Sequence, residues 1–209
     1  MRITIILTLI NILMFLYTLP NLDYYITEFG FSAKNFLSGK YEIVGTAMFL
    51  HANIFHLIFN MTALLLLGNS LEQEVENWKY LLVYLLSGLI GNLAMLIPFL
   101  FSPETIGVGA SGAISGLVGL GTFLCPGKLV IFPSVIPLPF VVAGALYFLS
   151  TAMNLFLPSQ IAYPVHFVGM IVGSIFGLMW SNQKTKRILI FVTTLLLIVL
   201  LPHLLKIVL

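Results

Sequence analysis

Long apolar stretches separated by short polar segments recur along this chain. A helix needs about 20 predominantly apolar residues to cross a hydrocarbon core about 30 Å thick. The pattern predicts seven such helices, at about 3–20, 53–71, 79–98, 111–126, 138–157, 161–181 and 188–208. The first stretch follows Arg2, as in a signal peptide, but residues 16–20 make a poor cleavage site, so we expect a retained helix. The chain is therefore predicted to be an all-α polytopic membrane protein.

Composition agrees with this pattern and narrows the range of functions. Of the 209 residues, 60% are hydrophobic and 8% are charged, whereas soluble domains carry about 25% charged residues. Such a chain cannot cover a water-facing surface, which excludes a soluble enzyme, a disordered chain and a nucleic-acid-binding protein. The single cysteine, Cys125, allows neither an intrachain disulfide nor a cysteine metal cluster.

Lysine and arginine are unevenly distributed between the two sides of the predicted bundle. If the spans alternate in direction, Lys34, Lys40 and Lys206 fall on one side and a larger set falls on the other. Because cytoplasmic loops are enriched in Lys and Arg, the N-terminus is predicted to be cytoplasmic in a cell membrane, with residues 21–52 outside. The larger set consists of Arg2, Lys79, Lys128, Lys184, Lys186 and Arg187.

Several segments are predicted to lie at the membrane surface or inside the protein. Residues 21–52 mix aromatic with charged side chains, which suits a loop in the headgroup region. Residues 99–110 are too apolar for an exposed loop, so we expect them to dip into the protein. Trp78 and Trp180 are predicted at the cytoplasmic interface, where amphipathic rings are enriched.

The fourth span is too short to cross the membrane. From Ser111 to Pro126 it extends about 24 Å at 1.5 Å per residue, about 6 Å less than the hydrocarbon core. A helix can end inside a bilayer where its free N–H groups meet protein or a water-filled cavity. The shortfall therefore predicts a hydrated depression above Ser111.

Polar side chains within the second span are candidates for function, because such groups are costly in a bilayer. His56 and Asn60 are four residues apart and share one helix face. His51, at the entrance of the span, is rotated away from that face. The alternative is that His56 and Asn60 join helices through hydrogen bonds.

A run of small residues, 109–119, opens the fourth span. Ser111 begins the helix, where free backbone N–H groups and the helix dipole favour a nearby negative charge. A serine hydroxyl there would have an oxyanion site formed by its own backbone. The alternative is close helix packing, for which Gly112 and Gly116 provide a pair of small residues four apart.

A histidine followed by regularly spaced glycines marks the sixth span. His166 lies near the outer end, and Gly169, Gly173 and Gly177 follow at every fourth position. These glycines predict a smooth groove against the glycines of the fourth span. The alternative for His166 is a structural role, which is the commoner one for a lone histidine in a membrane helix.

The depth of these residues favours one shared site. Spans two, four and six enter from the same side, and His56, Ser111 and His166 lie roughly 5, 6 and 8 Å below the outer surface. Independent packing roles would not require polar residues of three helices to meet in one layer. We therefore predict a catalytic site at this depth.

The predicted site contains a hydroxyl, an imidazole and donors for a developing negative charge. We expect Ser111 to act as nucleophile and His166 as general base and then general acid. His56, Asn60 and the Ser111 N–H would hold the oxyanion. The carboxylates fall in loops or at span boundaries, so the site is predicted to be a Ser-His dyad oriented by helix packing rather than by an acid.

These motifs resemble those of the rhomboid intramembrane serine proteases, over residues from about 45 to 181. The resemblance makes His51, Gly109, Gly112, Gly169 and Gly173 supporting residues of the site. It implies a six-helix bundle over residues 1–181, and residues 182–209 would add a basic linker and a seventh transmembrane helix that part of the family carries. The matching motifs are His51-x4-His56-x3-Asn60, Gly109-Ala110-Ser111-Gly112 and His166-x2-Gly169-x3-Gly173.

The resemblance also implies an activity and its partners. Members cleave transmembrane helices of other proteins near the outer face, and substrates would enter sideways from the bilayer, past the fifth helix, with small residues favoured at the cut. Neither a metal nor another cofactor is expected, and membrane lipids are the other partner. In some members an aromatic ring stacks on the catalytic histidine where this chain has Ser115, and the Trp-Arg pair of the first loop is absent from residues 21–52.

Two other functions are left open by the residues. A catalytically inactive relative would bind membrane helices without cutting them, but such proteins usually lack the serine or the histidine. A transporter would use His56, Asn60 and His166 as a path for protons or solutes, and would need further polar groups toward the cytoplasmic half, of which the sequence has few. A metalloprotease is disfavoured, because there is no His-Glu-x-x-His spacing and no carboxylate in a span.

Overall fold

The computed structural model describes residues 3–97, 100–132, 136–157, 159 and 161–208. Arg2, predicted at the cytoplasmic end, and Pro98 and Phe99, predicted in the third span and in the buried loop, lie outside the described residues. The strands β1 (Leu129–Val130) and β2 (Leu138–Pro139) pair antiparallel. The helices are α1 (Ile3–Thr18), α2 (Leu22–Phe29), α3 (Ala33–Leu37), α4 (Ile43–Thr46), α5 (Ile54–Leu71), α6 (Asn77–Leu93), α7 (Ser111–Leu124), α8 (Phe140–Met153), α9 (Tyr163–Trp180) and α10 (Lys184–Val208).

Each predicted span corresponds to a helix, namely α1 and then α5 to α10. α7 and α8 are apolar but shorter than a full span, with 14 residues each. The fold is a multi-pass helical membrane bundle, as predicted, while a membrane crossing by α10 stays a prediction. Within the described ranges, four segments are long and apolar enough to cross a membrane, namely Ile3–Phe29, Ile54–Leu71, Asn77–Leu96 and Tyr163–Trp180.

Several predicted boundaries are wrong. α7 ends at Leu124 rather than at 126, because a residue that precedes proline, as Cys125 does, is driven out of the helical region. The fifth span is predicted from 138, but β2 occupies 138–139 and α8 starts at Phe140. α10 begins at Lys184, so the basic run predicted as a linker forms its first turn.

The connection over residues 21–52 is folded and anchored on its neighbours. It contains α2, α3, α4 and a 3₁₀ turn at Ala47–Phe49. The Thr46 hydroxyl donates to the Phe29 carbonyl at 2.8 Å, and the Asn92 amide of α6 donates to the Val44 carbonyl at 2.9 Å. The place of this connection in the headgroup region stays a prediction.

The described part of the 99–110 segment contacts the protein near both of its ends. Close to its start, Phe101 packs against a buried apolar cluster that includes Phe31 and Met95. Near its end, Phe31 and Gly107 form an antiparallel bridge, and Gly109 and Ala110 are buried as they lead into α7. Residues 102–106 are exposed, so the predicted burial is wrong for this part, which carries the polar side chains of the segment. The bridge fixes the chain just before Ser111.

α7 lies at the centre of the bundle. Its residues from Gly112 to Phe123 are all buried, as expected for a helix that is apolar on every side. On one side α9 packs directly on the α7 backbone, with Gly169 against the carbonyl of Gly112 and Gly173 against the carbonyl of Gly116. Any Cβ at these α9 positions would collide with that backbone, so glycine is what permits the approach.

At the end of the bundle away from Ser111, polar and aromatic contacts connect neighbouring helices. The Thr4 N–H of α1 donates to Glu72 at 2.8 Å, and the Thr4 hydroxyl donates to the buried Tyr80 hydroxyl of α6 at 3.1 Å. The rings of Trp78 and Trp180, predicted at the same interface, lie edge to face with centroids 6.2 Å apart. These contacts place the start of α6 and the end of α9 at one end of the bundle.

α10 packs against the outside of α7 and α8. The Phe191 ring of α10 lies 5.1 Å from the Phe123 ring of α7 and 5.8 Å from the Phe148 ring of α8, measured between centroids. The additional helix therefore covers part of α8 with an aromatic contact, while the Ser111 end of α7 is contacted by α9.

Candidate active site

The central feature of the site is a hydrogen bond between two distant parts of the chain. Ser111 Oγ lies 2.8 Å from His166 Nε2, although 55 residues separate them. Ser111 is the first residue of α7, and His166 lies in the first turn of α9, whose N-terminal end includes Pro164. The structure therefore brings together the two residues that the sequence predicts as nucleophile and base.

The start of α7 leaves backbone donors free beside Ser111. The first turn of a helix has N–H groups without intrahelical partners, and these N–H groups carry the positive end of the helix dipole. The N–H of Ile114 makes the first bond of the helix, to Ala110 at 2.9 Å. The N–H groups of Ser111 and Gly112 precede it, so they can donate to an anion formed next to the serine hydroxyl.

Gly109 provides the space that His56 occupies. Gly109 has φ +117°, and its N–H donates to the Ala47 carbonyl at 2.8 Å. A Cβ at this residue would lie 2.7 Å from Cε1 and 2.9 Å from Nε2 of His56. The conformation and the close contact both require glycine, because other residues rarely adopt this φ and their Cβ would collide with the ring. The His56 ring thus contacts the residue that lies two positions before Ser111.

The local fold of α5 fixes the direction of the His56 ring. Asn53 caps the helix by accepting a hydrogen bond from the His56 N–H at 2.9 Å. The Ala52 N–H donates to His56 Nδ1 at 3.3 Å. Since Nδ1 accepts a hydrogen bond, a neutral His56 carries its proton on Nε2, the atom beside Gly109. His56 therefore presents a donor toward the Ser111 end of α7.

Asn60 and His51 are placed differently from His56. The buried Asn60 amide donates to the His56 carbonyl at 2.8 Å, which uses one of its two N–H groups, so its part in an oxyanion site stays a prediction. His51 is fully buried with its ring edge to face against His56, 5.2 Å between centroids. Burial lowers the pKa of His51 to about 3, with a smaller effect of His56, so the ring is neutral at pH 7.

Tyr163 supplies an aromatic neighbour for His166. Its ring, one turn earlier on α9, lies 6.3 Å from the His166 ring between centroids at 74°. At Ser115, where some rhomboids have the stacking ring, the hydroxyl donates to the Ser111 carbonyl at 2.7 Å and also lies 2.7 Å from the Tyr147 hydroxyl of α8. Sequence reasoning misses Tyr147, whose only signal is one phenol in an apolar helix.

The supporting glycines of the prediction lie where α7 and α9 meet. Gly112 packs closely on Val165, since a Cβ at Gly112 would lie 3.0 Å from the Val165 side chain. Gly169 lies against the carbonyl of Gly112. In the part of the chain that the structure describes, no group of three or more His, Cys, Asp or Glu side chains could hold a metal ion. The groups brought together at Ser111 are a hydroxyl, an imidazole and backbone N–H groups, which are suited to nucleophilic and acid–base chemistry.

Comparison with known proteins relates this site to one family. A rhomboid protein 1 from Saccharomyces cerevisiae, named as mitochondrial, is 30% identical over 189 residues, which are 85% of this chain and 53% of that protein. The putative rhomboid protease YdcA of Bacillus subtilis is 38% identical over 88 residues, 42% of this chain and 43% of YdcA. RHOMBOID-like protein 6 of Arabidopsis thaliana, also named as mitochondrial, is 45% identical over 80 residues, 38% of this chain and 25% of that protein.

The chain covers about half or less of the length of these relatives. The matched region nevertheless contains the whole predicted site. The family model described as the Rhomboid domain matches residues 39–183, which include Ser111, His166 and the α5 residues around His56. Since this match extends over more than half of the chain, the protein belongs to the rhomboid family.

Proposed function

We propose that the protein is an intramembrane serine endopeptidase that hydrolyses peptide bonds in or near transmembrane helices of other proteins. The observation that supports this most directly is the 2.8 Å contact between Ser111 Oγ and His166 Nε2. A neutral imidazole at this distance can accept the serine proton as the hydroxyl oxygen attacks a carbonyl carbon. Three of the relatives carry the word protease in their names, namely the putative rhomboid protease YdcA and rhomboid protease GluP of Bacillus subtilis and rhomboid-like protease 3 of Toxoplasma gondii.

The reaction would proceed through an acyl-enzyme. Ser111 Oγ bonds to the carbonyl carbon while His166 takes its proton, and His166 then returns the proton to the leaving amine as the peptide bond breaks. Water, activated by the same imidazole, next hydrolyses the ester and regenerates the serine. His56 Nε2–H and the N–H groups at the start of α7 would hold the oxyanion, and each such donor typically contributes about 2.7–4 kcal/mol to the transition state.

Water must reach the serine within the membrane. With 14 residues, α7 is about 21 Å long, roughly 9 Å shorter than the hydrocarbon core, so its N-terminus lies below one surface. Ser111 is half-buried, so part of the residue reaches the surface of the protein. Both features support a hydrated depression above Ser111. Given the excess of basic residues at the other end, we propose that it opens on the outer side of a cell membrane.

The proposed substrates are transmembrane segments that enter sideways past α8, as the family resemblance implies. The transporter alternative gains little support from α1, where two of the buried polar residues, Thr8 and Asn11, bond to carbonyl groups of their own helix. The Thr8 hydroxyl donates to the Thr4 carbonyl and the Asn11 amide donates to the Leu7 carbonyl, both at 2.8 Å. Neither of these two hydrogen bonds involves His56 or His166.

Covalent labelling tests this proposal. In detergent, a fluorophosphonate should form an adduct on Ser111 of the wild-type protein, and a model transmembrane substrate should be cleaved. Ser111→Ala should abolish both results, and His166→Ala should reduce them by several orders of magnitude. Ser70→Ala is a matched control, because Ser70 is an exposed hydroxyl near the other end of α5. Cleavage by Ser111→Ala at the wild-type rate would exclude the assigned nucleophile, and an unlabelled wild type would favour an inactive helix-binding relative.

A further inference from the structure

A chain of two hydrogen bonds connects α8 to the backbone of Ser111. Ser115 Oγ lies 2.7 Å from the Ser111 carbonyl oxygen and 2.7 Å from the Tyr147 hydroxyl. Ser115 is fully buried, and Tyr147 is half-buried. Building on the proposed function, we propose that Tyr147 and Ser115 are positioning residues that hold the first turn of α7 so that Ser111 Oγ points at His166 Nε2.

The direction of the two hydrogen bonds follows from the number of protons available. A serine hydroxyl has one proton, and Ser115 donates it to the Ser111 carbonyl. Ser115 Oγ must then accept from Tyr147, whose phenol is the donor at the α8 end. Both polar groups are satisfied in a buried environment, where such bonds are stronger than in water.

The direction of the Ser111 carbonyl affects where the Ser111 hydroxyl points. The carbonyl belongs to the first residue of α7, so its direction is coupled to the Cα–Cβ bond that carries the nucleophilic hydroxyl. In a regular helix it also accepts the N–H of Ser115, and the Ser115 hydroxyl adds a second donor. Fixing this carbonyl opposes fraying of the first turn, where helix ends are least constrained. A catalytic hydroxyl held in reacting geometry accounts for a large part of a rate enhancement.

Packing holds the Tyr147 phenol in place for this role. Its ring lies 5.7 Å from the Phe132 ring between centroids, tilted by 49°. Three residues earlier on α8, Gly144 lies directly against the Thr122 side chain of α7, and nearer the start of α8 the Phe140 ring lies against Gly121. α8 is thus packed closely on α7 before Tyr147, which sets the height at which the phenol meets Ser115.

Kinetics of hydroxyl-deletion variants test the inference. Tyr147→Phe keeps the ring and removes one donor, so kcat for a model transmembrane substrate should fall about 3- to 10-fold with KM unchanged, as expected for one lost hydrogen bond. The rate constant for fluorophosphonate modification of Ser111 should fall by the same factor. Ser115→Ala should have an effect of similar size. The double variant should match the single variants, because each single substitution already interrupts the same chain of hydrogen bonds.

Tyr80→Phe is the matched control. It also removes a buried tyrosine hydroxyl that bonds between two helices, to Thr4 at the other end of the bundle. We expect lower thermal stability in this variant, with the wild-type kcat for folded protein. This separates a loss of positioning from a general loss of stability.

Three results would overturn the positioning role. The first is a wild-type kcat in Tyr147→Phe. The second is a raised KM at constant kcat in that variant, which would make the phenol a substrate contact. The third is that the effects of the two single variants multiply in the double variant. A wild-type protein that neither cleaves nor is labelled would contradict the proposed function itself, so the two failures are distinguishable.

Discussion

At the scale of single residues, two glycines with positive φ show what the site demands of the backbone. Gly39 has φ +99° and Gly109 has φ +117°. Around Gly39 no atom lies within 4 Å of a Cβ position, whereas at Gly109 the His56 ring occupies that space. Both positions have a conformation that would strain a residue with a side chain, but only at Gly109 would that side chain also displace a residue of the site.

Replacing Gly109 by alanine should displace His56. We expect Gly109→Ala to lower stability by about 1–3 kcal/mol through strain at positive φ and to reduce cleavage at least 100-fold, because His56, the proposed oxyanion donor, and the start of α7 would both move. Thermal unfolding in detergent and the rate of substrate cleavage measure the two effects.

Gly39→Ala is the control for this prediction, since it adds the same strain in open space. It should lower stability to a similar extent and leave cleavage by the folded protein at the wild-type rate. Wild-type cleavage by Gly109→Ala would contradict the assignment of His56 to the site.

At the scale of elements, the contact between α7 and α9 determines the distance from the serine to the histidine. The two helices touch backbone to backbone at Gly112 with Gly169 and at Gly116 with Gly173. Interfaces of small residues allow such an approach in membranes, where van der Waals packing replaces the hydrophobic effect between helices. A side chain inserted between them would separate Ser111 from His166 without touching either.

Gly173→Ala should show this effect two turns away from the dyad. The new Cβ would collide with the Gly116 carbonyl, so we expect a loss of about 1–3 kcal/mol in stability and at least a 10-fold slower labelling of Ser111 by a fluorophosphonate. Gly127→Ala is the control, since no atom lies within 4 Å of its Cβ position. Unchanged labelling of a destabilised Gly173→Ala would show that the helix separation does not control the dyad.

At the scale of the whole molecule, α10 is attached to a bundle that already contains the site. The Rhomboid domain match ends at residue 183, and α10 begins at Lys184. Its Phe191 contact with Phe123 and Phe148 lies on the outside of α7 and α8. α10 therefore contributes to packing around α8, and these contacts lie away from the Ser111–His166 pair.

Removing α10 should lower the stability of the protein without abolishing the reactivity of Ser111. A protein that ends at Gln183 should unfold at a lower temperature in detergent, yet fluorophosphonate should still label Ser111 below that temperature. Phe191→Ala, which removes the aromatic contact alone, should give a smaller decrease in the same direction. A folded shortened protein that is not labelled would show that α10 is part of the catalytic unit.

Much of the fold was predictable because each span is encoded locally. The apolar stretches give the number and order of the seven long helices, and two of the boundary errors, at the end of α7 and the start of α8, occur next to prolines. For the site, helical spacing places Ser111 and His166 at a similar depth, which their contact requires. Tyr147 was not predictable, because a phenol in an apolar span has no periodic partner that points to Ser115.

The sequence by itself determined that this is a membrane bundle, and it predicted which helices run in the same direction and which polar residues lie at a similar depth. These properties depend on local hydropathy and helix rise, which act within a single span. Only the tertiary structure decided how far each helix is rotated toward its neighbours. That rotation places Ser111 Oγ 2.8 Å from His166, turns His56 toward Gly109 and joins Tyr147 to Ser115, because it results from packing between side chains that are distant in the chain.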